Sequence, residues 1–226
     1  MRHILSILLL GIAVMCYGEA IRSNIAGRYV LQCEEGVEPL PEGLTAVRYL
    51  ESTGTQYIHT GLLFQKNIRL IVSVEYTGTT TFGWGRNYSS YEILWQGSRF
   101  YFGGGYSIIE SREYNRQYEY DLDFTDKNMV AKINGEIVRE TTGTQPTDGY
   151  ILLFALYRPG LADPIIEFPG RHYYFFLFVG DELIMNLVPC RFINEVDENE
   201  GAMYDRISGN LFRNQGTGSF IIGPDL

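Results

Sequence analysis

Between Ile68 and Tyr76 the chain alternates: Ile68, Leu70, Val72, Val74 and Tyr76 fall in one phase, and Arg69, Ser73 and Glu75 in the other. A period of two puts each set on one face of an extended strand, a pattern that a helix of period 3.6 cannot use. Tyr118 to Phe124 repeats it, with Tyr118, Tyr120, Leu122 and Phe124 opposed to Glu119, Asp121 and Asp123. Asn134-Gly135, set between Val130–Ile133 and Glu136–Val138, is a two-residue hairpin signal, because a type I′ turn needs positive φ at both central positions. Gly180-Asp181 and Ser208-Gly209-Asn210 are expected to turn the chain again. Tyr150–Tyr157 and Tyr173–Val179, apolar in both phases, read as central strands. No stretch carries a capped helical stripe, and no fixed-period repeat points to a solenoid or propeller. The expected fold class is all-β, a two-sheet antiparallel β-sandwich.

Size and composition agree with one such domain. The chain has 226 residues, 45% hydrophobic and 20% charged, which excludes intrinsic disorder. Its 25 glycines and 17 tyrosines suit many short strands and turns. A net charge of −9 argues against nucleic acid as a partner, since phosphates call for a Lys/Arg-rich surface.

The N-terminus sets the expected compartment. Arg2 and His3 precede an apolar run from Ile4 to Met15, followed by Gly18-Glu19-Ala20, the layout of a secretory signal peptide cleaved after Ala20. The run is too short to cross ~30 Å of hydrocarbon comfortably, so no stable membrane span is expected. Cys16 could accept lipid, but a lipoprotein signal wants a small residue before the cysteine and Met15 is not small. The expected organisation is a signal peptide over 1–20, a linker over 21–38 and the sandwich over 39–226, in a protein secreted or held at the cell surface. Two readings are open for the remaining cysteines: a Cys33–Cys190 bridge in an oxidising compartment, or a buried apolar Cys190 with a free Cys33. The second is preferred, because Cys33 lies in a stretch with little pattern.

Several segments are recognisable. Leu40-Pro41-Glu42-Gly43-Leu44-Thr45-Ala46-Val47-Arg48-Tyr49-Leu50-Glu51-Ser52-Thr53-Gly54-Thr55-Gln56-Tyr57-Ile58 resembles the opening of a family of concanavalin A-like, laminin-G-like jelly-roll domains of bacterial surface and secreted proteins and phage tail-associated proteins. Leu187–Arg191, Gly201–Asp205, Ser208–Phe212 and Asn214–Phe220 are similar to its far end, so the resemblance spans roughly Pro39 to Gly223. Leu44, where an aromatic is usual, and His59 after Tyr57-Ile58 depart from the pattern without touching the fold. The resemblance implies the lectin/glucanase sandwich, with carbohydrate or surface recognition as its usual use; fold alone does not confer function.

Catalysis finds little support. Glu119, Asp121 and Asp123 alternate as glucanase carboxylates do, and a retaining pair would need ~5–5.5 Å between them. The glucanase motif usually ends in Glu where Asp123 stands, and Phe124-Thr125-Asp126 supplies no tryptophan-rich cleft. A solvated acidic face explains the row. His3, His59 and His172 have no nucleophile partner in sequence. A binding site has better material in Trp84, Arg86, Tyr88, Tyr91 and Trp95, with Tyr101 and Tyr106 beyond them, interleaved with glycines that keep the backbone accessible. Aromatic faces stack on sugar rings, while Arg86, Asn87 and Gln96 could fix hydroxyls; the competing role for alternate aromatics is to fill the core. No cofactor is expected. Calcium could be held by loops bearing Asp197, Glu198, Glu200 and Asp205, although a merely acidic loop reads as well. The sequence thus points to a secreted, non-catalytic, lectin-like module with a glycan or cell-surface ligand. An adhesion module for a protein ligand comes second and a glycoside hydrolase third.

Overall fold

The computed structural model describes residues 39–77, 81–83, 94–96, 99–102, 105–108, 113–125, 127–142, 149–157, 165–196 and 198–226; at 81–83, 94–96, 99, 105–108 and 165–167 it describes the backbone only. In chain order the strands begin with β1 (Leu44–Ala46), β2 (Leu50–Thr53), β3 (Ile58–Leu63) and β4 (Ile68–Glu75). A short meander follows, of β5 (Thr81–Gly83), β6 (Leu94–Gln96), β7 (Arg99–Phe102) and β8 (Gly105–Ile108). Next come β9 (Gln117–Asp123), β10 (Asn128–Ile133), β11 (Glu136–Thr142), β12 (Tyr150–Leu153), β13 (Ala155–Tyr157) and β14 (Ile165–Glu167). The chain ends with β15 (Pro169–Val179), β16 (Glu182–Ile193), β17 (Asn199–Asp205), β18 (Leu211–Arg213) and β19 (Ile221–Ile222).

The large sheet runs β11-β10-β9-β4-β15-β16-β17-β18, with β2 also along β15, β19 along β2 and β1 along β16. Facing it are the β3–β12 pair, the β13–β14 pair and the β5–β8 meander. Every pairing given is antiparallel, and the described residues contain no helix: the protein is an antiparallel β-sandwich. The alternation in the sequence decides what lies between the layers. Ile68, Leu70, Val72, Val74 and Tyr76 are all buried, as are Tyr118, Tyr120, Leu122 and Phe124. Phe175 and Leu177 join them from β15, while Ile58, Phe100, Phe102, Ile151 and Leu153 come from the facing layer. Burying each such side chain contributes about 1.5–3 kcal/mol.

The turns form where the residues allow them. Asn134 and Gly135 both take positive φ, 51° and 82°, between the closing pair Ile133 and Glu136, as a type I′ hairpin requires. At Gly180-Asp181 only the first position is positive, at 59°, the pattern of a type II′ turn. After β17 the buried Asp205 carboxylate accepts from the backbone of Asn186, Ile207 and Ser208 and from the Ser208 hydroxyl. This carboxylate, one of the candidate calcium ligands, is therefore committed to its own turn.

Two irregularities were not visible in the sequence. The run Tyr150–Tyr157 is not one strand: Phe154, with φ 64°, breaks it into β12, which pairs with β3, and β13, which pairs with β14. A bulky residue rarely adopts that conformation, and here its ring is locked in the core against His172 and Phe220, at 4.2 and 4.9 Å. In β15 the register on β4 shifts between His172 and Tyr174, leaving Tyr173 as an extra residue. A bulge of this kind bends the strand and re-aims side chains. Beyond it, Phe175 and Leu177 enter the core while Tyr174, Phe176 and Phe178 alternate with them, so this central strand keeps an aromatic outer row.

The family-like motifs at the two chain ends meet in an interlocked double turn. The buried Gln56 amide accepts from the Thr53 N–H and the Ser52 hydroxyl and donates to Thr55 Oγ1 and the Thr217 carbonyl. Gly216 packs so tightly on this turn that a Cβ would lie 2.0 Å from the Thr55 carbonyl oxygen. Cys190 is a buried free thiol whose Sγ lies 3.3 Å from the Ala202 carbonyl, and burial pushes its pKa up to about 12. Cys33 lies outside the described residues.

Candidate functional site

Inward residues of β2, β15 and β4 (Leu50, His172 and Val74) fix the facing of their neighbours: Glu51, Arg171 and Glu75 stand on the outer face of the large sheet. They form one cross-strand row, Glu51 opposite Arg171 on one side and Glu75 opposite Arg171 on the other. The register therefore places a guanidinium between two carboxylates, the favourable order of charges across neighbouring strands. Arg171 Nε donates to Glu51 Oε2 at 2.7 Å and Nη1 to Glu75 Oε1 at 2.6 Å. The bulged Tyr173 donates its hydroxyl to Glu75 Oε2 at 2.5 Å. Tyr49 completes the group: its ring lies 4.6 Å under the Arg171 guanidinium and meets the Tyr173 ring edge-on at 5.6 Å.

The cluster is half-buried and stiff. Arg171 is 28% exposed, Glu51 15% and Glu75 8%. Burial raises the Tyr173 phenol pKa, and the bond to the negative Glu75 raises it further, so the hydroxyl stays a donor across the physiological range. Burial works against the Arg171 charge, but the Glu51 bond and the two carboxylates outweigh it and its pKa rises. Arg171 Nη2 and Glu51 Oε1 carry no bond to another described residue. Arg171 and Glu51 thus each keep a polar atom with no bond to a described residue, in a group held by ion pairs beside two tyrosine rings. This arrangement can bind paired hydroxyls and the apolar edge of a ring without reorganising.

Farther along the same face, the acidic row of β9 is not simply solvated. Glu119 accepts the Tyr174 hydroxyl. Asp121, only 8% exposed, takes a bidentate pair from Arg69, with both contacts at 2.7 Å, and Lys132 approaches to 3.7 Å. Asp123 caps Thr125 through its backbone N–H and hydroxyl. The row is therefore not a plain solvated face: Arg69 of β4 and Lys132 of β10 meet Asp121, while Glu119 and Asp123 accept hydrogen bonds from Tyr174 and Thr125. Among the described residues no group of three His, Cys, Asp or Glu side chains could hold a metal ion, and no helix is long and apolar enough to cross a membrane.

Of the binding candidates read from the sequence, Trp84, Arg86, Tyr88 and Tyr91 lie outside the described residues. Trp95 falls in β6, where its backbone pairs with Phe100; its side chain is outside the described set. The neighbouring Phe100 and Phe102 are core residues, and Tyr101 packs partly against that core. Nothing in the sequence marks Tyr49, Arg171 and Tyr173 as neighbours. The one signal was the polar phase of β4, which marks Glu75 as outward without naming its partner 96 residues away.

No family model and no curated protein matches this chain. Among solved structures, the fold is similar to that of a "putative carbohydrate binding protein" from Bacteroides ovatus ATCC 8483, with a TM-score of 0.52 and 12% identity. The match covers 79% of this chain and 60% of that one, so this chain spans about three fifths of its neighbour's length.

Proposed function

We propose that this chain is an exported, non-catalytic saccharide-binding module of the concanavalin A-like, laminin-G-like type, with a glycan contact at Tyr49, Glu51, Arg171 and Tyr173. The observation that carries the reading is the outer-face cluster, in which an unengaged donor on Arg171 and acceptor on Glu51 sit beside half-buried tyrosine rings. The description of the Bacteroides structure as carbohydrate binding supports the same ligand class, as does the resemblance at the chain ends.

Binding fits the cluster better than hydrolysis does. Both Glu75 oxygens accept strong hydrogen bonds, from Arg171 and Tyr173, and Glu51 is tied to the same guanidinium, so both carboxylates are engaged in holding the cluster together. The β9 carboxylates are equally committed. A protein-binding adhesion surface would call for a broad apolar patch. The exposed large apolar side chains, such as Leu63, Ile137, Ile207 and Ile221, sit on different strands and turns. Trp84, Arg86, Tyr88, Tyr91 and Trp95 are kept as further proposed contacts, and export with cleavage after Ala20 as the proposed route.

A glycan array probed with protein starting at Ile21, beside the Tyr49→Leu variant, tests the proposal. Retention on a defined set of glycans, weakened at least tenfold in Tyr49→Leu at unchanged melting temperature, is expected from loss of an aromatic hot spot. Absence of retention on any glycan would refute saccharide binding. Equal retention by both proteins would refute this site.

A further inference from the structure

The facing layer carries a second aromatic group on its own outer side. In β3, Ile58 is fully buried in the core, so His59 points the other way; in β12, Ile151 and Leu153 are core and Tyr150 alternates with them. The His59 and Tyr150 rings meet at 4.5 Å, and Tyr150 meets the half-buried Tyr157 of β13 edge-on at 5.5 Å. Three rings from three strands thus form a continuous row, made possible by the break at Phe154 that carries the chain from β12 into β13. His59 Nδ1 accepts the Gly61 N–H at 3.0 Å, which leaves the ring proton on Nε2 as a donor. Burial lowers the His59 pKa, so this neutral form is the one present at physiological pH. On the side of Gly61 and Leu63 the surface is open, since a Cβ at Gly61 would meet nothing within 4 Å and Leu63 is exposed, while Leu152, paired with His59, is fully buried and forms the floor of the row.

We propose that His59, Tyr150 and Tyr157 form a second saccharide-stacking site, on the outer face opposite the Tyr49–Arg171–Tyr173 cluster, and that one domain therefore bridges two glycan chains. Rings that meet tilted, as His59 and Tyr150 do, or edge-on, as Tyr150 and Tyr157 do, leave surface for the C–H faces of a pyranose, while the Nε2–H of His59 and the two phenol groups supply hydroxyl partners. Neither site carries unbalanced positive charge, so the ligand class is a neutral saccharide in both cases. The two sites face away from each other across the core, and a single short oligosaccharide cannot span both.

This inference rests on the saccharide-binding reading, and the test separates the two. Hexaoses of cellulose, xylan, mannan and chitin are titrated calorimetrically into monomeric protein starting at Ile21, and beads coated with the matching polymers are scored for bridging. The wild type is expected to bind two hexaose molecules and to bridge beads. Tyr150→Leu/Tyr157→Leu, which keeps apolar bulk but removes the rings, is expected to bind one and to lose bridging at an unchanged melting temperature. Tyr49→Leu should also reduce the count to one, and the three substitutions together to none. Nitration by tetranitromethane gives a check that needs no variant: the hexaose should protect Tyr150 and Tyr157. One molecule bound by the wild type, with those tyrosines unprotected and loss only in Tyr49→Leu, would overturn the second site while leaving the function in place. Absence of binding by any of the four hexaoses and of bridging by any polymer would overturn both.

Discussion

Acidification should destabilise this protein in part through one identifiable side chain. His172 enters the core from β15 opposite Val74, completely buried, with its ring 4.2 Å from that of Phe154. Burial disfavours the imidazolium and lowers its pKa from 6.5 to about 3. The unfolded chain takes up this proton as pH falls below 6.5, whereas the native chain resists until about pH 3. Stability contributed by the neutral ring is therefore complete above pH 6.5 and lost progressively below it, at 1.36 kcal/mol per pH unit. At pH 4 the loss is about 3 kcal/mol, and it levels off near 5 kcal/mol at pH 3. The comparison is with His172→Leu, whose other titrating groups are the same and cancel. Urea unfolding at pH 7.5, 6, 5 and 4 reads the difference directly. With a slope of about 2 kcal/mol/M, the wild-type midpoint should fall by roughly 1.5 M more than that of the variant between pH 7.5 and 4. A midpoint difference that stays constant over this interval would refute the assignment of a neutral, buried His172.

Three further outcomes follow from the packing. Gly216→Ala forces a Cβ to within 2.0 Å of the Thr55 carbonyl, so the double turn must open; a loss of about 3 kcal/mol in chemical denaturation is expected. Cys190, with its pKa near 12, should ignore a disulfide-exchange reagent at pH 8 in the native protein and react within the mixing time in urea. Asp121→Asn, which leaves the Arg69 guanidinium facing a neutral amide, should cost about 1–3 kcal/mol, and Arg69→Met/Asp121→Leu should recover most of it in a double-mutant cycle.

The parts of this structure that were legible in sequence are those decided locally. Ile68–Tyr76 and Tyr118–Phe124 show their two faces because one face of each strand is buried and the other is polar. Asn134-Gly135 shows its hairpin because few other residues tolerate two successive positive φ angles. The site was hidden for the opposite reason. Arg171, Glu51 and Glu75 come from three distant segments, and only the register of β15 on β2 and β4 brings them into one row. The bulge at Tyr173 leaves no mark in a run of aromatics, since either face would suit a tyrosine. Likewise, Asp121 reads as solvated until Arg69 is placed on the adjacent strand. The segments around Gln56 and Gly216, whose sequence resembles a known family, spend their side chains and backbone on fastening these two turns together.

The central claim is that the outer-face cluster on β2, β4 and β15 holds a glycan. The most direct test is a two-dimensional amide NMR titration of the isotopically labelled protein with the glycan best retained on the array. Saturable shifts centred on Tyr49, Glu51, Glu75, Arg171 and Tyr173, with a perturbed Arg171 side-chain Nε–H signal, are the expected result. Saturable shifts that bypass all five residues would contradict the claim.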